Sequence, residues 1–220
     1  MVHHLPLPPP RPVTHPLRTT DTARSSIRRL SRGRMRVWID HRPLPGITPE
    51  MLIWWFRHIG DDLVHAGVTM SGYLAWHPLD HIRWELARPA PGGGAGEGAR
   101  YRIVEAFGRD DAFYVDSVER VEKLDETGIR LVRRVAGVQV FQLEHTWSEG
   151  AEGTHYVSVM DLGAIARAAT PVNHYLTSRV FPPAMAGAWV KHNVEEVGVL
   201  EHLVPEALRQ RAEAMPGGAP

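Results

Sequence analysis

Two hydrophobic periods run along this chain, and the places where one gives way to the other predict its elements. Residues 36–41 (RVWIDH) alternate as a short strand and lead into the Pro-rich turn RPLPG. Thr48-Pro49-Glu50 carries helix-start chemistry: a hydroxyl N-cap, proline at the first helical position and an acid in the first turn. The run MLIWWFRHIGDDL follows, apolar on one side, and reads as a helix. Residues 70–76 (MSGYLAW) alternate as a strand running into a tight HPLDH turn. Residues 89–98 (PAPGGGAGEG) lack the Gly-Lys-Ser/Thr ending of a phosphate loop and lie between strand patterns, so they predict a hairpin loop. Strand patterns then come in series at 100–107, 112–121, 129–135, 137–147 and 154–160, without intervening helices, which predicts an antiparallel meander. After a less regular stretch, 161–183, a long helix is expected from about Ala184 to Leu203, with Pro205 disturbing its end. The class is α+β, a curved antiparallel sheet wrapping the last helix and leaving a cavity between them.

Polar residues interrupt the apolar faces at a few places. The core stripe of the last helix runs Met185, Trp189, His192, Glu196, Val199, Leu203, with spacings alternating four and three. His192 and Glu196 thus stand where packing calls for leucine, one turn apart, a spacing that can bind one ion or form a buried hydrogen bond. Lys191 and Glu195 lie off the stripe and can pair. By period two, Tyr101, Ile103, Glu105 and Phe107 share a face, which turns Glu105 inward. Phe141, Leu143, His145 and Trp147 do the same for His145, while Glu144 points away. An unpaired buried carboxylate costs several kcal/mol or takes up a proton, so several such residues facing one cavity point to a cation. In the HPLDH turn either His77 or His81 can reach that cavity. His41, His58, His65, His174 and His202 show no such convergence and are expected at the surface or in hydrogen-bonded core positions.

Composition removes other chemistry. There is no cysteine, which excludes disulfides, thiolate metal sites and cysteine nucleophiles, so a transition-metal site must use His, Asp and Glu. HExxH and GxSxG motifs are absent. No apolar run approaches the roughly 20 residues of a membrane span, and no signal-peptide stretch is present, so the expected setting is cytoplasmic, with no membrane partner. Net charge is zero, yet residues 1–36 hold eight arginines against one acid, Asp21. That segment is proline-rich and free of aromatic residues before Trp38, so residues 1–34 are expected to be a disordered tail with no nucleic-acid partner. His3, His4 and His15 go with it as poor site candidates. Residues 35–210 are the expected folded domain and 211–220 a disordered C-terminus.

The runs MLIWWFRHIGDDLVHAGV, YLAWHPLDHIRWELARP, YRIVEAFG and HNVEEVGVLEHLVPEAL resemble the diacetylphloroglucinol hydrolase family, which includes phloretin hydrolase. The match covers roughly Met51 to Leu208, and it implies that the folded domain, residues 35–210, is catalytic. The resemblance implies a helix-grip (START-like) fold and a metal-dependent hydrolase that cleaves a carbon–carbon bond between an acyl group and a phenolic ring. By motif, the family's zinc ligands fall on His81, Glu105, His192 and Glu196, with His77 the competitor of His81. The tyrosine that holds the substrate's phenolic oxygens falls on Tyr73, and a pocket histidine on His145. A further tyrosine is matched by Tyr156. Position 84 is Trp84 where the family pattern has a polar contact to the ring substituents, which implies a different or larger substrate.

The expected reaction is attack of zinc-activated water on the acyl carbonyl, with the ring leaving as an enolate while Tyr73 and His145 hold its oxygens and manage its proton. The expected partner is a small aromatic acylphenol or polyketide, with homodimerisation left open. The alternative is a non-hydrolytic helix-grip protein, either an aromatic polyketide cyclase-like enzyme or a carrier of an aromatic ligand.

Overall fold

The computed structural model describes residues 5–214 of the 220-residue chain. Its strands are β1 (Ala23–Arg29), β2 (Met35–His41), β3 (Asp62–His65), β4 (Val68–Ser71), β5 (His81–Arg88), β6 (Arg100–Ala106), β7 (Tyr114–Asp125), β8 (Gly128–Val135), β9 (Val138–Ser148) and β10 (His155–Leu162). Its α-helices are α1 (Pro49–His58), α2 (Gly72–Trp76), α3 (Thr170–Tyr175) and α4 (Pro183–Ala214). Eight strands form one antiparallel sheet in the order β1-β2-β10-β9-β8-β7-β6-β5, and β3 and β4 make a separate hairpin. Register shifts in β5–β6, β7–β8 and β8–β9 are the bulges that let such a sheet curve. The long helix α4 packs on the inner face, where Val37, Ile39, Tyr101, Ile129 and Met160 are buried. The α4 stripe from Met185 to Leu203 is buried at each of its six positions. This is the helix-grip arrangement of an α+β protein.

Local chemistry sets the elements that carry the site. Thr48 caps α1 by accepting from the Met51 amide, with Pro49 opening the helix. The segment read as a strand over 70–76 instead turns helical at Gly72. Ser71 accepts from the Leu74 amide, and this cap starts α2, which buries Tyr73 and Trp76. Gly72 is needed there because a Cβ would lie 2.9 Å from the Trp55 ring. The end of the run after α1 forms β3, closed onto β4 by Ala66 and Gly67 at positive φ.

Three further expectations are corrected. First, the arginine-rich tail is ordered from residue 5 onward. β1 pairs with β2 over seven residues, and Arg18, 7% exposed, donates to the carbonyls of Arg42 and Pro43 and to Glu201 Oε2 at 2.8–3.0 Å. Arg18 crosses α4 at Gly198, where a Cβ would lie 2.5 Å from its Cγ. Partners supplied by the body thus order a segment whose composition alone cannot. Second, α4 does not end near Pro205. Leu203, Val204 and Ala207 bury both flanking turns, and Gln210 donates to the Val64 carbonyl and accepts its amide, docking the extension on β3. Third, residues 211–214 therefore belong to α4; the remainder of the expected C-terminal tail, and His3 and His4, lie outside the described residues. Among those described, no helix is long and apolar enough to cross a membrane.

Candidate metal centre

His81 opens β5 directly opposite Glu105 in β6, and α4 brings His192 and Glu196 against them one helical turn apart. His81 Nε2 lies 3.6 Å from Glu105 Oε2 and 3.5 Å from Glu196 Oε2. His192 Nε2 lies 3.6 Å from each of the same two oxygens. Two nitrogens and two carboxylate oxygens therefore face one point, at separations too long for good hydrogen bonds. Burial pushes the Glu105 carboxyl well above its usual range, with the Glu196 and Glu119 charges adding to the effect. Burial likewise pushes the His81 imidazole well below its usual range, reinforced by His77. Neutral imidazoles beside crowded carboxylates are a site short of positive charge, and these four residues could hold a divalent cation.

The outer contacts set both ring orientations. His81 Nδ1 lies 2.6 Å from the Tyr73 carbonyl, which can accept but never donate, so Nδ1 carries the hydrogen and Nε2 the lone pair. His192 Nδ1 lies 3.0 Å from Asp80 Oδ2, and the same oxygen accepts the Gly108 amide at 3.0 Å. Burial opposes ionisation of Asp80, but His192, His77 and that amide outweigh it and hold the carboxyl below its usual range. Asn193 donates to Glu196 Oε1 at 2.6 Å, and Tyr73 OH to Glu105 Oε2 at 3.2 Å. The inward atoms of His81, His192 and Glu196 thus belong to side chains anchored through their other polar atom, the arrangement found behind metal ligands, and Glu105 Oε2 is itself held by Tyr73.

His77 is committed differently. Its Nδ1 accepts the Asp80 amide at 3.1 Å, which puts its hydrogen on Nε2, facing Glu195 Oε2 at 3.3 Å. Glu195 also takes Lys191 at 2.6 Å. His77, Asp80 and His192 form a second compact group, but their facing atoms are consumed by these hydrogen bonds. His81 is the HPLDH histidine that joins Glu105, His192 and Glu196.

Two cavities flank the cluster. The inner one, about 60 Å³, is lined by Tyr73, His81, Trp84, Glu105, His145 and Glu196 among others. The outer one, about 470 Å³ and mostly apolar, shares Ile103, Glu105, Leu143 and Trp189 with it and extends to Phe141, Phe181 and Glu119. Tyr73 is stacked flat on His81, with ring centroids 3.8 Å apart. Trp84 closes one end of the inner cavity over Gly60, where any Cβ would meet its ring at 2.2 Å. Tyr156 is fully buried beside His145 but lines neither cavity, so the structure does not place it as a substrate contact. A larger concavity, about 740 Å³, is a groove between Trp54 of α1 and the last turns of α4, away from the cluster.

Sequence reasoning missed several participants. Asp80 and Asn193 sit beside the motif histidines and carboxylates, and the HPLDH and HNVEE runs already contained them. His41, expected to stand apart, meets His145 through Ser158, whose Oγ lies 3.0 Å from His41 Nε2 and 2.9 Å from His145 Nδ1. Burial pushes His145 down to about 4, partly offset by the Glu196 charge. Glu119 is 6% exposed at the outer cavity, with Oε2 lacking a hydrogen-bond partner, a position its charged strand neighbours conceal. His15, His65 and His202, none of which the sequence singled out, meet at the far end of α4.

Fold and site together define a helix-grip protein with a buried cluster of two histidines and two glutamates beside a ligand-sized cavity. No protein-family profile matches the chain, and no curated protein does. Solved structures similar to it include a Staphylococcus aureus protein of unknown function, 14% identical over 80% of this chain and 97% of that one, TM-score 0.47. An Enterococcus faecalis protein of unknown function is 10% identical, covering 87% of this chain and 92% of its own, TM-score 0.44. A Nitrosomonas europaea protein is 11% identical, covering 83% and 99%, TM-score 0.42.

Proposed function

We propose that this chain is a zinc-dependent hydrolase that cleaves the bond between an acyl carbon and a phenolic ring carbon. The observation that carries the reading is the convergence of four anchored donor atoms from His81, Glu105, His192 and Glu196, with both imidazole lone pairs turned inward. Each imidazole Nε2 lies 3.5–3.6 Å from each carboxylate Oε2, close to the roughly 3.4 Å that separates two donors about 2.1 Å from one zinc at a tetrahedral angle. Zinc bound there supplies Lewis acidity and lowers the pKa of water to near neutrality.

The chain's own residues do the rest. The inner cavity is smaller than the roughly 150 Å³ that accommodates a benzene ring. The reacting carbonyl and ring edge therefore occupy it, and the bulk of the substrate extends past Ile103 and Leu143 into the outer cavity. Tyr73 OH, 3.2 Å from Glu105 Oε2 at the edge of the inner cavity, supports a role in holding a ring oxygen once a cation engages that carboxylate. His145 is neutral at pH 7, and with Nδ1 engaged by Ser158 it has Nε2 to accept a phenolic proton and return it to the ring carbon as that carbon departs. Trp189, Trp84 and Phe56 line the inner cavity and exclude water from the leaving carbanion.

The test pairs metal analysis with a panel of acylphenols followed by mass spectrometry. The expected result is one zinc at this cluster and products shortened by one acyl group. Glu196→Gln should lower zinc affinity and cleavage together while the metal-free melting point hardly moves; unchanged zinc binding with a shifted metal-free melt would refute the ligand set. The large apolar cavity favours a second reading, a carrier or cyclase-like protein, which predicts aromatic ligands bound and recovered intact.

A further inference from the structure

A second constellation of metal-ligating side chains lies at the other end of α4. His15 comes from the N-terminal segment, His65 ends β3, and Glu206 sits one residue beyond Pro205. His15 Nε2 lies 3.7 Å from Glu206 Oε2, and His65 Nδ1 lies 3.8 Å from the same oxygen. One donor atom from each residue falls within 4.8 Å of the others. These separations exceed hydrogen-bond length. Two donors each about 2.1 Å from one ion, at a tetrahedral angle, are about 3.4 Å apart, so small side-chain shifts close the triangle on a cation.

Three further observations point the same way. His15 Nε2 is buried and has no hydrogen-bond partner, a cost that a ligand removes. His65 is 3% exposed, and its Nε2 lies 2.8 Å from Thr14 Oγ1; the tautomer that donates to that hydroxyl turns the Nδ1 lone pair toward Glu206. The His202 ring stacks on His15 at 4.8 Å and fixes its plane, while its own Nε2 lies 3.4 Å from Glu201. Two imidazoles and one carboxylate suit a borderline first-row dication and leave positions for water.

We infer that His15, His65 and Glu206 form a second divalent-cation site, which clips the N-terminal segment to β3 and α4. The clip lies on the segment whose Arg11 donates to the carbonyls of Pro78 and His81, at 3.2 and 2.8 Å. It therefore steadies a strap that reaches the loop carrying the inner cluster. The site shares no ligand with that cluster and stands independently of the hydrolase reading.

The test uses the full chain stripped by chelator and titrated with Zn²⁺ by calorimetry. Wild type should bind two equivalents. His15→Ala and Glu206→Gln should each lose one, or bind it at least about tenfold more weakly, the scale on which even outer-layer partners act. His192→Ala and Glu196→Gln should lose the other equivalent. Trypsin cleavage after Arg18 supplies a second readout: Zn²⁺ should slow it in wild type and in Glu196→Gln, but not in His15→Ala. Full stoichiometry and unchanged affinity in both His15→Ala and Glu206→Gln would overturn the site. If instead the His192 and Glu196 variants keep both equivalents while His15→Ala and Glu206→Gln lose one, the inner cluster fails and this site stands.

Discussion

Replacing Glu119 by glutamine should stabilise the fold above neutral pH and leave it nearly unchanged in acid. Glu119 lies at the outer cavity, 6% exposed, with Oε2 unpartnered. Burial pushes its carboxyl from 4.5 to about 7, against smaller opposing effects from the Ser117 hydroxyl and the Arg133 charge. The native state therefore holds the proton more tightly than the unfolded chain. Stability from this group is complete below about pH 4.5 and is lost as pH rises through about 7. The loss levels off at roughly 3 kcal/mol, taking about 1.4 kcal/mol per tenfold change in proton affinity. For a chain of this size that is on the order of 5–10 °C in melting temperature. Glutamine keeps the shape and cannot ionise. Melting curves of wild type and Glu119→Gln from pH 4 to 9 should nearly coincide at the acid end, separate between about pH 4.5 and 7 and stay apart above that, with the variant higher. Chelator-stripped protein is required, because a cation beside Glu105 would itself favour the Glu119 carboxylate. A constant offset at every pH, or a wild type that melts higher at pH 9, would refute the argument.

Deleting residues 1–33 should cost several kcal/mol, because it removes β1 and strips Glu201 of the buried Arg18, and unpairing one member of a buried ion pair alone costs about 3–5 kcal/mol. Thermal melting checks this, and a truncated chain that melts with full-length protein would show that the tail contributes nothing. Asp80→Asn should weaken zinc binding at the inner cluster by about 10–100-fold, because His192 loses the carboxylate that orients it and raises its basicity. Chelator competition reads the change, and unaltered affinity would remove Asp80 from the site.

The sheet was legible wherever one face is buried and the other is wet. The two-residue period of the sequence turned Glu105 in β6 and His145 in β9 toward the inner cavity that both line, although Val104 and Ala106 on the other face of β6 are buried as well. β1 gave no such signal because it is an edge strand. Its side chains are largely exposed, even Ile27 at 41%, and Arg28 and Arg29 supply the charge that keeps an edge from pairing further. Over 70–76 alternation misled. Tyr73 and Trp76 are both buried by a short helix; their three-residue spacing puts them on one face of a helix but on opposite faces of a strand. Pro205 misled for another reason. The loss of one backbone hydrogen bond is local, whereas the contacts that carry α4 through it come from Leu203, Val204, Ala207 and Gln210.

For the sites, the same contrast runs between residues that share an element and residues that only meet in space. His192 and Glu196 were readable because one helix turn fixes their relation. Glu105 followed from strand period, and His81 was separable from His77 only once the Asp80 amide and Glu195 were seen to occupy both His77 nitrogens. His15, His65 and Glu206 come from three distant segments, so no periodicity joins them. What brings them together is Arg18, which seats the N-terminal segment across α4 at Gly198. From Glu196 to Glu206 is ten residues, or about 15 Å along a helix. The strap spans that interval, with Arg11 at the His81 carbonyl and His15 at Glu206. Its prolines and arginines, which compositionally read as disorder, are those of a chain whose hydrogen bonds go to carbonyls and carboxylates of the body rather than to itself. Order in such a segment is a property of its contacts, and those contacts tie the His81 carbonyl beside the cluster and the Glu201–Glu206 stretch of α4 to a single stretch of chain.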